Sequence, residues 1–292
     1  MEELLKFVFL LAFVGFGTKA AVFPMYAWLP AASVAPTPVT ALLHAVAVVN
    51  AGAYAVLRVI YYSFGASFLY GTWAQTVALG LSCFTILFGS TMAVREQHFK
   101  RRLAYSTISN LSYMLMGAAL MTPDGMTGSL SHLVIHGVIK ITLFYCAGAI
   151  LIKTGKEYVQ DLRGYSRIMP ATCGIFLLGS IALVGTPPLA GFVSKWNLLT
   201  AASATGLPMG TVAIVCLIIS AILTAIYLFT AALPMYFRPL NADQAQLAGQ
   251  KLDPSWMMLL PMGILCALMI GLGLWSQPLV TFLRNIAAGV IF

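Results

Sequence analysis

Within one long apolar stretch, residues 131–140 read "SHLVIHGVIK", so His132, His136 and Lys140 recur at every fourth position. At ~100° per residue, steps of four drift only about 40° each, which puts the three side chains on one helix face over roughly 12 Å of depth. A lysine inside a membrane span carries an insertion penalty of roughly a few kcal/mol and therefore needs a function or a partner. Imidazole exchanges protons near neutral pH and a buried amine can do so as well. A row of the two can hand protons along through intervening water.

Four further residues belong to the same chemistry. Lys195 follows the Pro187-Pro188 pair with no acidic residue near it in sequence, and is a candidate switchable ammonium. His44, in "VTALLHAVAVVNAG", is another imidazole in apolar surroundings, with Asn50 on the same segment. Lys19 ends the first apolar stretch just before Pro24, and reads equally as an interfacial snorkelling lysine or a path residue. Lys100 heads a span behind a basic cluster, where an anchoring role and a pathway role are both open. The acidic residues Glu2, Glu3, Glu96, Asp124, Glu157, Asp161, Asp243 and Asp253 all map to a terminus or a loop, so none supplies a carboxylate within the bilayer.

The elements that must hold these groups follow from composition. The 292 residues are 60% hydrophobic and 8% charged, with a mean hydropathy of +0.92, which no soluble domain could bury. The apolar runs are continuous rather than alternating, which excludes a transmembrane barrel. The expected fold is all-α, a polytopic transmembrane helix bundle. A net charge of +8 points to loops facing anionic lipid rather than to nucleic acid. The five cysteines are scattered through apolar segments without a CxxC pair and read as core residues. The chain has no GxGxxG, no GxxxxGK[ST], no CxxCH and no iron–sulfur pattern, so no cofactor, metal or nucleotide is expected on it. The start, "MEELLKFVFLLAFVGFG", is acidic and shows no secretory cleavage site.

About eight spans are expected, near 4–22, 39–62, 72–94, 103–121, 129–152, 169–187, 209–232 and 257–282. The first and sixth are interrupted by proline, in "FPMYAWLPAASVAPTP" and "GTPPLAGFVSKW". Broken helices at membrane depth need a protein or hydrated surrounding, and in corresponding positions of two halves they point to a transport site. Loops three ("REQHFKRR") and five ("KTGKEYVQDLRGYSR") are basic, which places them in the cytoplasm and both termini outside.

The segments "KAAVFPMYAWLPAASVAPTPVTALLHA", "FKRRLAYSTIS", "SHLVIHGVIKITLFY" and "GTPPLAGFVSK" together resemble the antiporter-like subunits of the respiratory complex I superfamily. That superfamily also holds the Mrp-type cation/proton antiporters and the energy-converting membrane-bound hydrogenases. The resemblance implies a proton relay. Lys19 matches the lysine of the broken seventh helix, and His44 the eighth-helix histidine. Lys100 matches the basic residue that starts the tenth helix. His132, His136 and Lys140 match the eleventh-helix row, and Lys195 the twelfth-helix lysine of the exit half-channel. Two departures stand out. Only helices seven to fourteen have counterparts, so the fifth-helix glutamate that pairs with the seventh-helix lysine is not matched. In addition, His98 stands where many members carry aspartate.

On that resemblance the chain divides into 1–62, a remnant of a first repeat; 72–232, a complete five-helix inverted repeat; and 257–282, a C-terminal helix. Its expected work is proton or Na⁺/H⁺ translocation in the cell inner membrane, within a redox-driven quinone oxidoreductase-like or hydrogenase complex. Expected partners are peripheral redox subunits, membrane lipid and other membrane subunits, one of them carrying the missing helices and glutamate. A stand-alone or Mrp-type cation/proton antiporter subunit and a non-transporting half-subunit are the alternatives.

Overall fold

The computed structural model describes residues 1–206, 208–241 and 249–290. Asp243, counted above among the loop acids, lies outside the described residues. Apolar sequence in hydrocarbon must satisfy its backbone internally, and the described chain does so as helix after helix. The first, α1 (Glu2–Gly17), runs into an irregular stretch holding Lys19, then a short α2 (Trp28–Ala31) and a 3₁₀ turn (Ala32–Val34). A single interrupted span follows, made of α3 (Thr37–Ala45), α4 (Val48–Arg58) and a π-helical end (Val59–Phe64). Beyond the brief α5 (Ala66–Leu69) come the long helices α6 (Trp73–Arg95), α7 (Phe99–Ala119) and α8 (Pro123–Thr154). Two half-length helices, α9 (Pro170–Val184) and α10 (Ala190–Ala204), flank Pro187-Pro188. The last three are α11 (Pro208–Phe237), α12 (Trp256–Leu274) and α13 (Gln277–Ala288).

Local chemistry sets the bounds of α8, which carries the His/Lys row. The Thr122 hydroxyl accepts from the Gly125 N–H, and Pro123 occupies the first turn, where its missing donor is harmless. At the far end, Gly155 adopts φ +66°, and the left-handed turn stops the helix.

Among the described residues, five segments are long and apolar enough to cross a membrane: residues 37–64, α6, α8, α11 and α12. The other expected spans differ for physical reasons. In α1 and the α9/α10 pair the membrane-depth helix is broken into short pieces. By contrast α7 is unbroken but polar, with Ser106, Thr107, Ser109, Asn110 and Ser112 in its middle. A helix of that composition is stable here because nearly all of it is buried between α6, α8, α4 and α11. Two expected boundaries are corrected. The sixth span does not end at residue 187 but resumes as α10 to Ala204. The stretch 257–282 is two helices, since α12 stops at Leu274 and the amphipathic α13 packs back against α8.

The loops gather at two ends, as the alternation of spans requires. At one end the Trp73 Nε1–H donates to Glu3 Oε2 (2.8 Å), and the Gln75 amide donates to the Ala119 and Leu120 carbonyls. At the other, loops three and five are joined: the Phe99 N–H donates to the Glu157 carbonyl (2.7 Å) and the Val159 N–H to that of Gln97 (3.0 Å). Asp253 accepts from Ala171 and Thr172 at that same end, capping α9. Apolar packing forms two clusters, one centred on α1, α4 and α6, the other on α8, α9 and α11. The His/Lys row of α8 belongs to neither.

Candidate functional site

Lys140 is fully buried at mid-helix. Its ammonium donates to the Leu103 carbonyl (2.9 Å) and to the Ser106 hydroxyl, both on α7. Both partners are neutral, and no salt bridge involving Lys140 occurs among the described residues. His136 lies one turn toward the helix start, and His132 one turn beyond it, their rings 5.9 Å apart and stacked. His132 Nδ1 stands 2.9 Å from the Ser194 hydroxyl of α10. The edge of the His132–Tyr113 pair closes at 5.4 Å, and the face of the Tyr113 ring holds the Lys195 ammonium, also at 5.4 Å.

Lys195 is half-buried where the sixth span breaks. The last carbonyls of α9 have no helical partner, and Lys195 Nζ donates to two of them, Leu183 (2.7 Å) and Val184 (2.9 Å). The turn depends on Gly185, at φ +94°, where an added Cβ would also stand 3.0 Å from the Lys195 side chain. A proline-broken helix thus provides what an intramembrane cation needs, namely backbone oxygens turned away from their own helix.

At the opposite end of the row, His44 is fully buried in the last turn of α3, its ring stacked on Phe144 at 4.9 Å. The interruption after Ala45 frees that residue's carbonyl, which accepts from the Asn50 side chain (2.8 Å). His44 Nε2 lies 3.3 Å from the Ser33 hydroxyl. Ser33 also lines a cavity of about 320 Å³ bounded by Glu96, His98, Lys100, Arg101 and Glu157. One hydroxyl therefore separates His44 from a charged mouth on the side of loops three and five. Lys100 sits buried at the rim, donating to the Ala35 carbonyl (3.3 Å). His98, where the resemblance expects an aspartate, pairs with the Glu157 carboxylate at 3.3 Å.

Lys19 stands apart. It is exposed beside the buried residues Ala20, Ala21 and Val22, and its Cβ packs so closely on α4 that a side chain at Gly52 would approach it to 2.6 Å. Ala21 is held at φ +57°, an uncommon conformation for a residue with a Cβ. The structure places His132, His136 and Lys140 along α8, with Lys195 reached from His132 across the Tyr113 ring and His44 stacked on Phe144 one turn beyond Lys140, and leaves Lys19 exposed.

Ser33, Ser106, Tyr113 and Ser194 complete the site and were not singled out from the sequence. The available signal was the low hydropathy of α7, whose hydroxyls cluster at the depth of Lys140. Several buried polar atoms along the line have no partner within the described protein: His44 Nδ1, Asn50 Oδ1, His132 Nε2 and both nitrogens of His136. Left dry, each would cost about 1–3 kcal/mol. Ordered water is the usual way such groups are served, and water between imidazoles is the medium through which protons hop.

The comparisons agree with this architecture. The chain is 33% identical over 289 residues to NADH-quinone oxidoreductase subunit N of Desulforudis audaxviator, covering 95% of this chain and 56% of that protein. It is 35% identical over 235 residues to F(420)H(2) dehydrogenase subunit L of Methanosarcina mazei, covering 77% and 34%. Among solved structures, respiratory complex I from Thermus thermophilus with bound NADH holds a chain that superimposes with a TM-score of 0.80 at 25% identity, over 96% of this chain and 57% of that one. The Mrp complex from Dietzia sp. DQ12-45-1b holds another, with a TM-score of 0.84 at 24% identity, over 95% and 58%. The chain thus spans about half the length, or less, of the relatives it matches. With a family model matched over residues 2–224, and the proline-broken spans and buried Lys/His line in place, the chain belongs to the NADH:quinone oxidoreductase/Mrp antiporter transmembrane family.

Proposed function

We propose that this chain translocates protons, or protons against Na⁺, as a membrane subunit of a redox-driven complex of the NADH:quinone oxidoreductase or hydrogenase kind. Electrons are handled by peripheral partners, and this chain moves charge through side chains and water. A proton from the mouth beside loops three and five reaches His44 through Ser33, passes to Lys140, and travels by His136 and His132 to Lys195, which releases it at the opposite side. A change of charge at one lysine alters proton affinity at the next, so a signal from a partner propagates along the row.

The single observation that carries this reading is Lys140: fully buried, hydrogen-bonded only to neutral oxygens, and aligned with two imidazoles and a second amine. A structural lysine would be matched to a carboxylate or drawn to a helix end. The arrangement supports one complete inverted repeat over 72–232, with 1–62 as part of another and 257–282 beyond it. In that scheme the α1/α2 break and the α9/α10 break occupy corresponding places. The exposed Lys19 supports a neighbouring membrane chain that supplies a carboxylate and further helices, since an ammonium facing hydrocarbon would be costly. Both termini lie outside the inner membrane, with the basic loops in the cytoplasm.

The test is Lys140→Ala in the assembled complex, reconstituted in vesicles with an internal pH dye. Potential-driven proton uptake is expected to fall to background while the complex still assembles. Uptake at the unmodified rate would refute the relay.

A further inference from the structure

A second group of polar side chains, on the α6/α7/α11 side of the row, is not used by the path just described. Ser90 of α6, Ser109 of α7 and Ser220 of α11 are all buried, and their hydroxyls close a triangle of 2.8, 2.5 and 3.1 Å. Oxygens that enclose a hard cation must leave room for it at their centre, and these are too close together to do so. They form instead a ring of hydrogen-bonded hydroxyls, each able to donate and accept.

The ring has a neighbour at each end. Tyr113 lies one helical turn from Ser109 on α7, with its hydroxyl buried, while its ring contacts His132 and Lys195. On α11 the sequence continues the column at helical spacing: Ser220, Thr224 and Tyr227 share one face. The Tyr227 hydroxyl donates to Thr224 Oγ1 (3.4 Å), and on the neighbouring α7 Ser106 and Asn110 stand one turn apart, the Asn110 amide donating to the Ser106 carbonyl (2.7 Å). Ser106 is the hydroxyl that holds Lys140. Asn110 Oδ1, Ser112 Oγ and the Tyr113 hydroxyl are buried without a partner among the described residues, as groups beside ordered water would be.

Toward loops three and five the column is stopped by Arg102. Its guanidinium donates to the Glu96 carbonyl (2.8 Å), the Tyr227 carbonyl (2.9 Å) and Thr230 Oγ1 (3.0 Å). It also lines a cavity of about 250 Å³ together with Gln97, Gln160 and Arg163. A fixed positive group at that mouth repels an entering cation or proton.

We propose that this hydroxyl column is a second, internal proton branch. It joins Lys140 to Tyr113 and Lys195 in parallel with the two histidines and is closed toward the basic loops by Arg102. The inference rests on the relay reading above. A proton arriving on a hydroxyl lone pair makes a new O–H bond as that group's own O–H bond breaks toward the next acceptor. Water completes the step from Tyr113 to the amine. Lys140 loses one proton, Lys195 gains one, and no serine or tyrosine is left charged.

The test measures proton uptake by vesicles holding the complex assembled around the full chain, with a potassium diffusion potential set by valinomycin as the drive. The double variant His132→Ala/His136→Ala is expected to retain part of the flux. Adding Tyr227→Phe, which removes one oxygen and keeps the ring, should lower that remainder about tenfold, the rate equivalent of one lost hydrogen bond on the path. Ser220→Ala should act similarly and Ser220→Thr should restore flux, a rescue that a purely packing role would not give. The branch is overturned if the histidine double variant already carries no flux, or if Tyr227→Phe and Ser220→Ala both leave its flux unchanged. Lys140→Ala, run alongside, separates the two ideas. Loss of flux there with no effect of Tyr227→Phe removes the branch alone, whereas intact flux there removes the relay itself.

Discussion

Lys140, His132 and Lys195 are each held by a neutral group contributed by another part of the bundle, and that is where the site can be dissected. Lys140 leans on Ser106 and the Leu103 carbonyl, His132 on Ser194, and Lys195 on the open end of α9. Replacing Ser106 by alanine leaves Lys140 a single carbonyl. Proton uptake is expected to drop by about tenfold, the equivalent of one buried hydrogen bond, with the amount of assembled complex unchanged. The histidines and Lys140 could be read from sequence because four-residue spacing fixes a shared face whatever the tertiary structure. Their partners could not, because Ser106, Ser194 and Tyr113 reach them from helices 19 to 62 positions away in sequence, and serine is ordinary in any membrane helix. Lys19 shows the converse: its type and place beside a proline left an interfacial lysine and a path residue equally open, and its exposure depends on tertiary packing that the sequence does not encode.

The two broken spans and α7 are the elements that make those contacts. At the second break α10 starts so close to α9 that a Cβ on Gly191 would stand 1.8 Å from the Ala182 carbonyl oxygen. Gly191→Ala must therefore push the halves apart, at a destabilisation of about 1–3 kcal/mol typical of overpacking. Thermal denaturation of the purified complex is expected to show it, along with a loss of flux, since Lys195 and Ser194 ride on the displaced helix. Prolines announced both breaks in the sequence, but not that the second resumes as α10 for fifteen residues. Continuous hydropathy similarly hid the stop at Trp275, where α12 gives way to α13. The polar α7 was expected as one of the eight spans, while its burial on nearly every side depends on neighbours that no local pattern encodes.

For the molecule as a whole, two apolar clusters leave a polar seam between the charged mouth at Ser33 and the broken helix at Lys195. The membrane class was legible because composition is a global sum. The seam itself was not, since it is assembled from six helices and one 3₁₀ turn that meet only in three dimensions. In the proposed relay, water inside that seam is what links the side chains into a conductor. The decisive measurement is a high-resolution density map of the assembled complex in lipid, read at His136, Asn50 and His132 Nε2. The account predicts ordered water bridging these atoms to Lys140 on one side and to Lys195 on the other. A dry seam, with the imidazoles sealed among aliphatic side chains, would contradict it.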